Sequence, residues 1–396
     1  MPVASRICVP ALAATFVVGC LGDSSPGAAP GPSQSPPVDV GAGAANPGDN
    51  ARNADAIGYR DLEAHPGCSP AGVDARGAGQ EDASNANNSK PYAAASIPGY
   101  RCAARAYPLR PEGEDTTKPV VLLVHGNSST PSDYERHPRT SGKPMLAERL
   151  VEQGYRVYAV DFRYDLVDDP TGPDGNTGNP AKNFDHGWAV PIAQHFFERV
   201  FALHEGRSFS VVSFSLGPTV VRDALRRLHR EGKEPFARLR HLVFAAGANH
   251  GVSTNRKLCG SDPKAPANPT MRGRVTCELG DRTAFVPTEF LLPLNGPAGE
   301  YETPCADGST AWGQAGVCGG NRVAYTTVTM KDESQGTYQD EFVSEASAAL
   351  RGADNRLVSL TDTDAPGYFY NAVFKRDNGA VRSEAGLRVI LEALGR

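Results

Sequence analysis

The clearest gap in this 396-residue sequence is the lack of histidine in its C-terminal part. Nine histidines occur, but the last is His250, so the final 146 residues (396 − 250) contain none. Histidine is the side chain that most often accepts and donates protons near neutral pH. A site formed by the C-terminal part of the chain must therefore take that chemistry from elsewhere.

The composition also lacks the features of two classes of binding site. The formal net charge is -5, without a long run of lysine and arginine. No positive patch is therefore indicated for nucleic acid or for an anionic membrane surface. No two cysteines have the spacing of a zinc knuckle. We expect no nucleic-acid partner, no metal site and no cofactor.

The N-terminus has the pattern of an export signal. Arg6 supplies a positive charge, Val9–Val18 is an apolar run too short to span a bilayer, and Gly19-Cys20 follows. This segment resembles the lipobox of bacterial lipoproteins, which implies a signal peptide at 1–19 and a lipid on Cys20. The resemblance implies an exported protein of the bacterial cell envelope, anchored to a membrane and facing the periplasm or the exterior. The alternative is an ordinary cleaved signal with an incidental cysteine.

Export predicts disulfides, because cysteines oxidise in exported proteins. Six cysteines remain when Cys8 is removed with the signal and Cys20 is assigned to the lipid. Short loops cost the least chain entropy to close, which favours pairs between neighbours in the sequence. The predicted pairs are Cys68 with Cys102, Cys259 with Cys277, and Cys305 with Cys318.

Composition divides the remaining chain into a tether and a domain. Residues 20–90 are rich in small and polar residues and cannot bury enough surface to offset the entropy of ordering. We interpret them as a flexible tether, part of which Cys68 attaches to the domain at 91–396. Residues 252–321 lack periodic structure and hold four cysteines. Segments this long are usually functional, and we interpret this one as a disulfide-stapled cap insertion over the carboxyl ends of the strands.

Strands and helices alternate within the domain. The predicted strands, which are mostly continuous apolar runs, are Val120–His125, Tyr155–Asp161, Phe209–Phe214, Leu239–Ala246, Arg322–Met330 and Arg356–Thr361. The predicted helices are Pro144–Gln153, Val190–His204, Pro218–Leu225 and Ser383–Leu394. This alternation predicts an α/β fold with a mostly parallel, doubly wound sheet and helices on both faces.

A serine occupies the turn between one predicted strand and the following helix. The strand Phe209–Phe214 is followed by Ser215, Leu216 and Gly217. This pattern resembles the nucleophile elbow of an α/β-hydrolase, with Ser215 at its apex. Gly217 matches the small residue that the tight turn requires, whereas Ser213 stands where glycine is usual. The alternative is a buried serine at the end of a strand.

The resemblance extends to two other segments, His125-Gly126-Asn127 and Gly247-Ala248-Asn249. Both are similar to segments of bacterial lipases and extracellular polyhydroxyalkanoate depolymerases of the α/β-hydrolase superfamily. In such enzymes two backbone N–H groups form the oxyanion hole, which implies Asn127 and Leu216 here. The resemblance gives His125 a structural role.

The resemblance also implies an acid and shows that a base is missing. Asp340-Glu341-Phe342-Val343 is similar to the segment whose aspartate orients the catalytic histidine, which points to Asp340. Asp332 is the alternative because it follows its strand more closely. Where the family has Asp-His-x-Gly, this chain has Asp364-Ala365-Pro366-Gly367, so the histidine position falls on Ala365.

Three explanations of Ala365 stay open. The chain binds an ester or polymer without cleaving it, or it is a variant whose base has been deleted, or another histidine has replaced the base. His250 is the leading candidate, because its loop ends at the same edge of the sheet as Ser215. His186 and His195 are expected to be packing or surface residues.

Two functions follow from these interpretations. The first is an exported, membrane-anchored serine hydrolase of carboxylic esters, of the lipase, esterase or polyester-depolymerase type, with an ester, lipid or polyester substrate. The second is a non-catalytic binding lipoprotein on the same fold. We expect a monomer in both cases.

Overall fold

The computed structural model describes residues 68, 97–126, 131–135, 143–161, 186–252, 279, 290–295, 317–318, 321–332, 342–360 and 375–396. The predicted signal peptide, Cys20 and most of the tether lie outside the described residues. In the described part of the chain, no helix is long and apolar enough to cross a membrane.

The strands form a seven-stranded sheet and a separate antiparallel pair. In chain order they are β1 (Ala104–Ala106), β2 (Val120–Val124), β3 (Val157–Val160), β4 (Phe209–Phe214), β5 (Leu239–Ala245), β6 (Val317–Cys318), β7 (Asn321–Arg322), β8 (Ala324–Asp332) and β9 (Asp354–Leu360). The strand order in the main sheet is β1-β3-β2-β4-β5-β8-β9, while β6 and β7 form the pair. All neighbours in the main sheet are parallel except β1 and β3.

The order of the strands creates a crevice between β2 and β4. After β2 the chain adds β3 on one side, then returns to add β4 on the other. Helices that leave neighbouring strands in opposite directions open a space at the carboxyl ends of those strands, where ligands bind in open α/β sheets. The ends are in register, because Val124 of β2 pairs with Ser213 of β4.

Helices cover both faces of the sheet. The α-helices are α1 (Leu146–Glu152), α2 (His186–Leu203), α3 (Gly217–Arg230), α4 (Leu292–Asn295), α5 (Glu345–Ala348), α6 (Lys375–Arg382) and α7 (Glu384–Leu394), and 3-10 helices cover Pro131–Tyr134 and Pro235–Ala237. Helix α7 begins at Ser383, whose hydroxyl accepts the Gly386 N–H at 2.9 Å as an N-cap.

The core has two layers, one on each face of the sheet. Val120 and Leu122 pack with apolar residues of α2 and α3, whereas Val121 and Leu123 pack with those of α1 and α7. Every residue of β2 is fully buried, which explains its continuous apolar sequence. Burying one such side chain stabilises the fold by about 1.5–3 kcal/mol. The predicted α/β class, with a mostly parallel doubly wound sheet, is confirmed.

One predicted disulfide lies within the described residues. Cys68 is bonded to Cys102 and both are buried, so this pairing is confirmed and the chain is attached to the domain at residue 68. Cys259, Cys277 and Cys305 lie outside the described residues, and only the backbone of Cys318 is described. The other two pairings stay predictions.

The segment 252–321 contains more secondary structure than its sequence suggested. Helix α4, strand β6 and the first residue of β7 lie within it. These elements span two to four residues, which is too short to produce a periodic hydrophobic pattern. Its role as a cap stays a prediction.

Candidate active site

Ser215 lies at the apex of the turn between β4 and α3, in a strained backbone conformation. Its φ is 56°, in the left-handed region that costs a non-glycine residue about 1–3 kcal/mol. Its N–H donates to the Ala245 carbonyl at 2.9 Å, and its carbonyl accepts from the Ala248 N–H at 3.1 Å. The next strand and its loop therefore hold the turn from one side.

Two glycines allow the end of β2 to approach this turn from the other side. A Cβ at Gly217 would lie 2.6 Å from the Val124 carbonyl oxygen and 2.9 Å from that of His125. A Cβ at Gly126 would lie 3.0 Å from the Ser215 Cβ. A side chain at Gly217 would require movement of the backbone. One at Gly126 would require the side chains of Ser215 and Phe214 to shift by a few tenths of an ångström.

Ser213 replaces the usual first glycine of the elbow without a visible conflict. It is fully buried, and its hydroxyl points to the Val243 carbonyl of β5 at 3.5 Å. A small side chain with a polar partner on the neighbouring strand therefore fits this position.

The structure describes one of the two predicted oxyanion donors. Leu216 precedes α3, and its N–H donates to no acceptor among the described residues. Asn127 lies outside the described residues, but Gly126, directly before it, packs against Ser215. The described part of this segment therefore ends beside the candidate nucleophile.

The loop after β5 lies beside Ser215 and is hydrogen-bonded to α5. Asn249 donates from Nδ2 to the Ala348 carbonyl at 2.8 Å, and Ser347 donates from Oγ to the Gly251 carbonyl at 2.5 Å. The backbone N–H of His250 donates to the Ser347 carbonyl at 3.0 Å. This loop is therefore held by a segment nearly 100 residues further along the chain, as the separations of 96 to 99 residues show.

His250 is half-buried in this loop, and its contact determines its tautomer. Nδ1 lies 2.9 Å from the Ser347 carbonyl oxygen, which can only accept, so Nδ1 carries the ring proton. In the neutral ring Nε2 is then the proton acceptor. This is the tautomer that a general base requires.

Two other histidines near the turn are engaged in structural contacts. His125 is fully buried, and its Nδ1 donates to the Gly126 carbonyl at 2.8 Å. His186 Nε2 lies 2.9 Å from the Thr219 hydroxyl, whose single proton goes to the Leu216 carbonyl at 2.8 Å. His186 must therefore donate to Thr219. Both contacts support the loops around Ser215, and the expected packing role of His186 agrees with its burial.

The remaining described histidines lie away from the crevice. His195 stacks on Tyr100 with ring centroids 5.1 Å apart. His204 and His229 lie near the carboxyl ends of α2 and α3, at the edge of the sheet opposite Ser215. His241 lies near the start of β5, where it contacts the Thr326 hydroxyl at 2.9 Å.

The structure thus brings Ser215, Leu216 and the loop of His250 to one edge of the sheet. Asp340 and Ala365 lie outside the described residues, and Asp332 ends β8 with only its backbone described.

Sequence reasoning missed the hydrogen bonds of Ser347 and the buried carboxylates of Asp133 and Glu135. Their partners lie far away in sequence, so no local pattern could have indicated them. Among the described residues, no group of three or more His, Cys, Asp or Glu side chains is placed to hold a metal ion.

Comparisons with known proteins give remote structural similarities. No family model matches this sequence, and no curated protein matches it. The mature form of a Bacillus licheniformis lipase is 15% identical and covers 74% of this chain and 98% of its own, with a TM-score of 0.46. Aspergillus fumigatus lipase B is 14% identical and covers 73% and 55%, with a TM-score of 0.43. An esterase of Pyrobaculum calidifontis is 15% identical and covers 74% and 78%, with a TM-score of 0.37.

Similarities this remote carry no activity over to this chain, and the fold is established by the molecule's own topology. A left-handed serine follows the central strand β4, beside the crevice where the strand order reverses. That turn joins a parallel strand to a helix in a sheet whose first strand is antiparallel, which agrees with the fold that the resemblance to an α/β-hydrolase implied.

Proposed function

We propose that this protein is a serine hydrolase of carboxylic esters with Ser215 as its nucleophile. The observation that carries the proposal is the left-handed backbone of Ser215, at 56°. Strain of this kind persists only where the surroundings enforce it, and it concentrates at functional sites. Here Gly126, Gly217 and the Ala245 carbonyl enforce it together.

The proposed reaction is acyl transfer. Ser215 Oγ adds to the ester carbonyl carbon while a base takes the hydroxyl proton, and the carbonyl oxygen becomes an anion bound by the N–H groups of Leu216 and Asn127. Collapse expels the alcohol, which receives that proton, and water then hydrolyses the acyl-enzyme. The resemblance assigns Asp340, or Asp332 as the alternative, to the orientation of a histidine at position 365.

Ala365 sets the expected rate. Loss of the histidine from a serine hydrolase costs roughly a million-fold in turnover, while the oxyanion hole and substrate binding retain roughly a thousand-fold over water. We propose His250 as the base in the present chain, because its loop is hydrogen-bonded to Ser215 through the Ala248 N–H. A neutral carbonyl stabilises the imidazolium less than a carboxylate does, so we expect slow turnover.

A second candidate function is ester or polyester binding without cleavage. Ala365 favours it, since the position that the family resemblance assigns to the histidine is vacant. Two histidines beside the turn, His125 and His186, are engaged in donating contacts. In this case the crevice between β2 and β4 would still accept the ester.

The location of the protein is a separate part of the proposal. Val17-Val18-Gly19-Cys20 supports lipidation of Cys20 and anchoring to the envelope membrane. Cys20→Ser should move the protein from the detergent phase to the aqueous phase in a phase-partition experiment. Unchanged partitioning would remove this part of the proposal.

Ester turnover in matched variants tests the proposed function. We expect weak p-nitrophenyl ester hydrolysis by the chain as it stands, and its loss in Ser215→Ala. His250→Ala should also abolish it, whereas His195→Ala, on the outer side of α2, should leave it unchanged. Turnover that survives in Ser215→Ala contradicts the proposed nucleophile, and turnover that survives in His250→Ala shows that His250 is not the base.

A further inference from the structure

Two buried carboxylates follow the candidate oxyanion loop. Asp133 is 0% exposed and Glu135 is 3% exposed. Asp133 lies in the 3-10 helix that begins at Pro131, five residues after Gly126, and Glu135 directly follows that helix. Buried carboxylates are rare unless they are paired. Their partners therefore show what this segment is attached to.

Glu135 is held by the edge strand β1 and the residue after it. Arg105 donates from Nη1 to Glu135 Oε1 at 2.5 Å and also contacts Oε2. Tyr107 donates its hydroxyl to Glu135 Oε1 at 2.7 Å. Burial, followed by the charge of Glu135, raises the pKa of Tyr107 well above its usual value. The phenol is therefore neutral and acts as a donor.

Asp133 and Tyr134 are attached to two other parts of the domain. Asp133 Oδ1 lies 3.4 Å from Nη2 of Arg382, the last residue of α6, and both side chains are fully buried. Tyr134 donates its hydroxyl to the Val124 carbonyl at the end of β2, at 2.8 Å. Three consecutive residues thus bind α6, β2 and the β1 segment.

This arrangement is better suited to fixing position than to adding stability. Removing two charges from water offsets much of their attraction, so well-packed apolar residues often stabilise a buried site as well as an ion pair does. Charged and hydroxyl groups, in contrast, specify one geometry. The hydrogen bond of Tyr134 reaches the Val124 carbonyl, two residues before Gly126, which packs on Ser215 Cβ.

We infer that Asp133 and Glu135, through Arg382 and Arg105, are positioning residues. They hold Tyr134 against the Val124 carbonyl and so keep the end of β2, with Gly126, beside Ser215. The inference rests on the proposed function, since it assigns these residues to the geometry of the oxyanion hole. A displacement of about 1 Å at a reacting centre can cost roughly a hundred-fold in rate. Loosening either anchor should therefore weaken binding of a tetrahedral anion by Ser215.

The test compares Asp133→Asn and Glu135→Gln with a matched buried ion pair away from the loop. Asp223 and Arg226 on α3 are 1% and 2% exposed, with 2.6 Å between their charged atoms, so Asp223→Asn is the control. The probe is an alkylboronic acid, whose boron bonds to the serine oxygen while the hydroxyl proton leaves to solvent. Amide hydrogen exchange of the peptide 124–135 is measured on the same proteins.

We expect Asp133→Asn and Glu135→Gln to raise the boronate Kd by about tenfold or more and to speed exchange in 124–135. Asp223→Asn should change neither by more than about twofold, whatever its effect on Tm. If Glu135→Gln does not fold, Tyr107→Phe replaces it and should move both readouts in the same direction by less. The inference is overturned if the folded Asp133→Asn and Glu135→Gln variants keep the boronate Kd and the exchange rate of the unaltered protein. It is also overturned if Asp223→Asn changes both as much as they do.

The two readouts separate this inference from the proposed function. If the unaltered protein binds no boronate, the proposed nucleophile fails, but the exchange comparison still decides whether the carboxylates hold the loop. If it binds boronate and the variants do so equally well, the proposed function stands and the positioning role is overturned.

Discussion

The two edges of the main sheet use polar side chains in different ways. At the carboxyl edge Ser215 is strained, and Asn249 is fully buried with its amide bonded to the backbone of a distant segment. At the amino edge charged groups pair at the surface, as Arg207 does with Glu114 at 2.7 Å, with side chains 15% and 23% exposed. Exposed pairs contribute about 0–1 kcal/mol. The carboxyl edge, which holds the candidate site, thus combines a strained residue with a buried amide.

A left-handed backbone alone does not distinguish the two edges. Glu234, before β5 at the amino edge, has a φ of 47°, but it is exposed. Ser215 differs because Gly126 packs against it on one side and the Ala245 carbonyl and the Ala248 N–H bond its backbone on the other. What marks the site is the enforcement of the strain by packed neighbours.

The largest expected effect comes from breaking that enforcement at Gly217. Gly217→Ala places a Cβ against two backbone carbonyls, so the turn or the end of β2 must move. We expect a loss of about 3 kcal/mol in unfolding free energy and loss of Ser215 labelling by a fluorophosphonate. The matched control is Gly395→Ala, at an exposed position with a φ of -80°, where the nearest atom beyond its chain neighbours lies 3.5 Å from the added Cβ. A folded Gly217→Ala protein with normal labelling would show that the close approach is not required.

An effect of intermediate size, on the pH dependence of the unfolding free energy, is expected from His241 at the amino edge. Burial, and then the charge of Arg396, lowers the pKa of His241 to about 4 from 6.5. Between these values the unfolded chain takes a proton that the folded chain does not, so stability falls as pH falls from 6.5 towards 4. The loss between pH 8 and pH 5 should be roughly 2 kcal/mol. Denaturant titrations of His241→Gln should show a correspondingly flatter pH dependence; identical curves would contradict the assignment.

The smallest expected effect is the gain in unfolding free energy when the strain at Ser215 is removed. Ser215→Gly removes the steric cost of the left-handed backbone and should raise unfolding free energy by about 1 kcal/mol while abolishing fluorophosphonate labelling. Glu234→Gly should give a similar gain with labelling unchanged. The comparison fails if Ser215→Gly is less stable than the unaltered chain by thermal unfolding.

The sequence predicts the central strands well and the edges poorly. Strands β2 and β4 are buried on both faces, so each produces a continuous apolar run that ends within a residue of its prediction. Strand β1 was missed because it has three residues with Arg105 in the middle. Helix α6 was missed because its sequence is mostly polar and contains Gly379; its last residue is positioned by Asp133.

The same distinction applies to the candidate site. Ser215 and Gly217 are adjacent in the chain, so a local motif identifies them. The contact of His250 with Ser347 spans 97 residues, and that of Asp133 with Arg382 spans 249. Contacts of this length depend on how the loops fold over the sheet, which no local pattern specifies.

The most direct test of the account is to restore the missing base. Asp364-Ala365-Pro366-Gly367 resembles a histidine loop with only the histidine absent, and a positioned general base contributes about 10²–10⁴-fold to rate. We predict that Ala365→His raises kcat/KM for a p-nitrophenyl ester by at least about a hundred-fold, and that Ser215→Ala in the same background removes the gain. A folded Ala365→His protein without any gain, or a gain that survives Ser215→Ala, would contradict the central claim that this edge is a serine hydrolase site without the histidine at position 365.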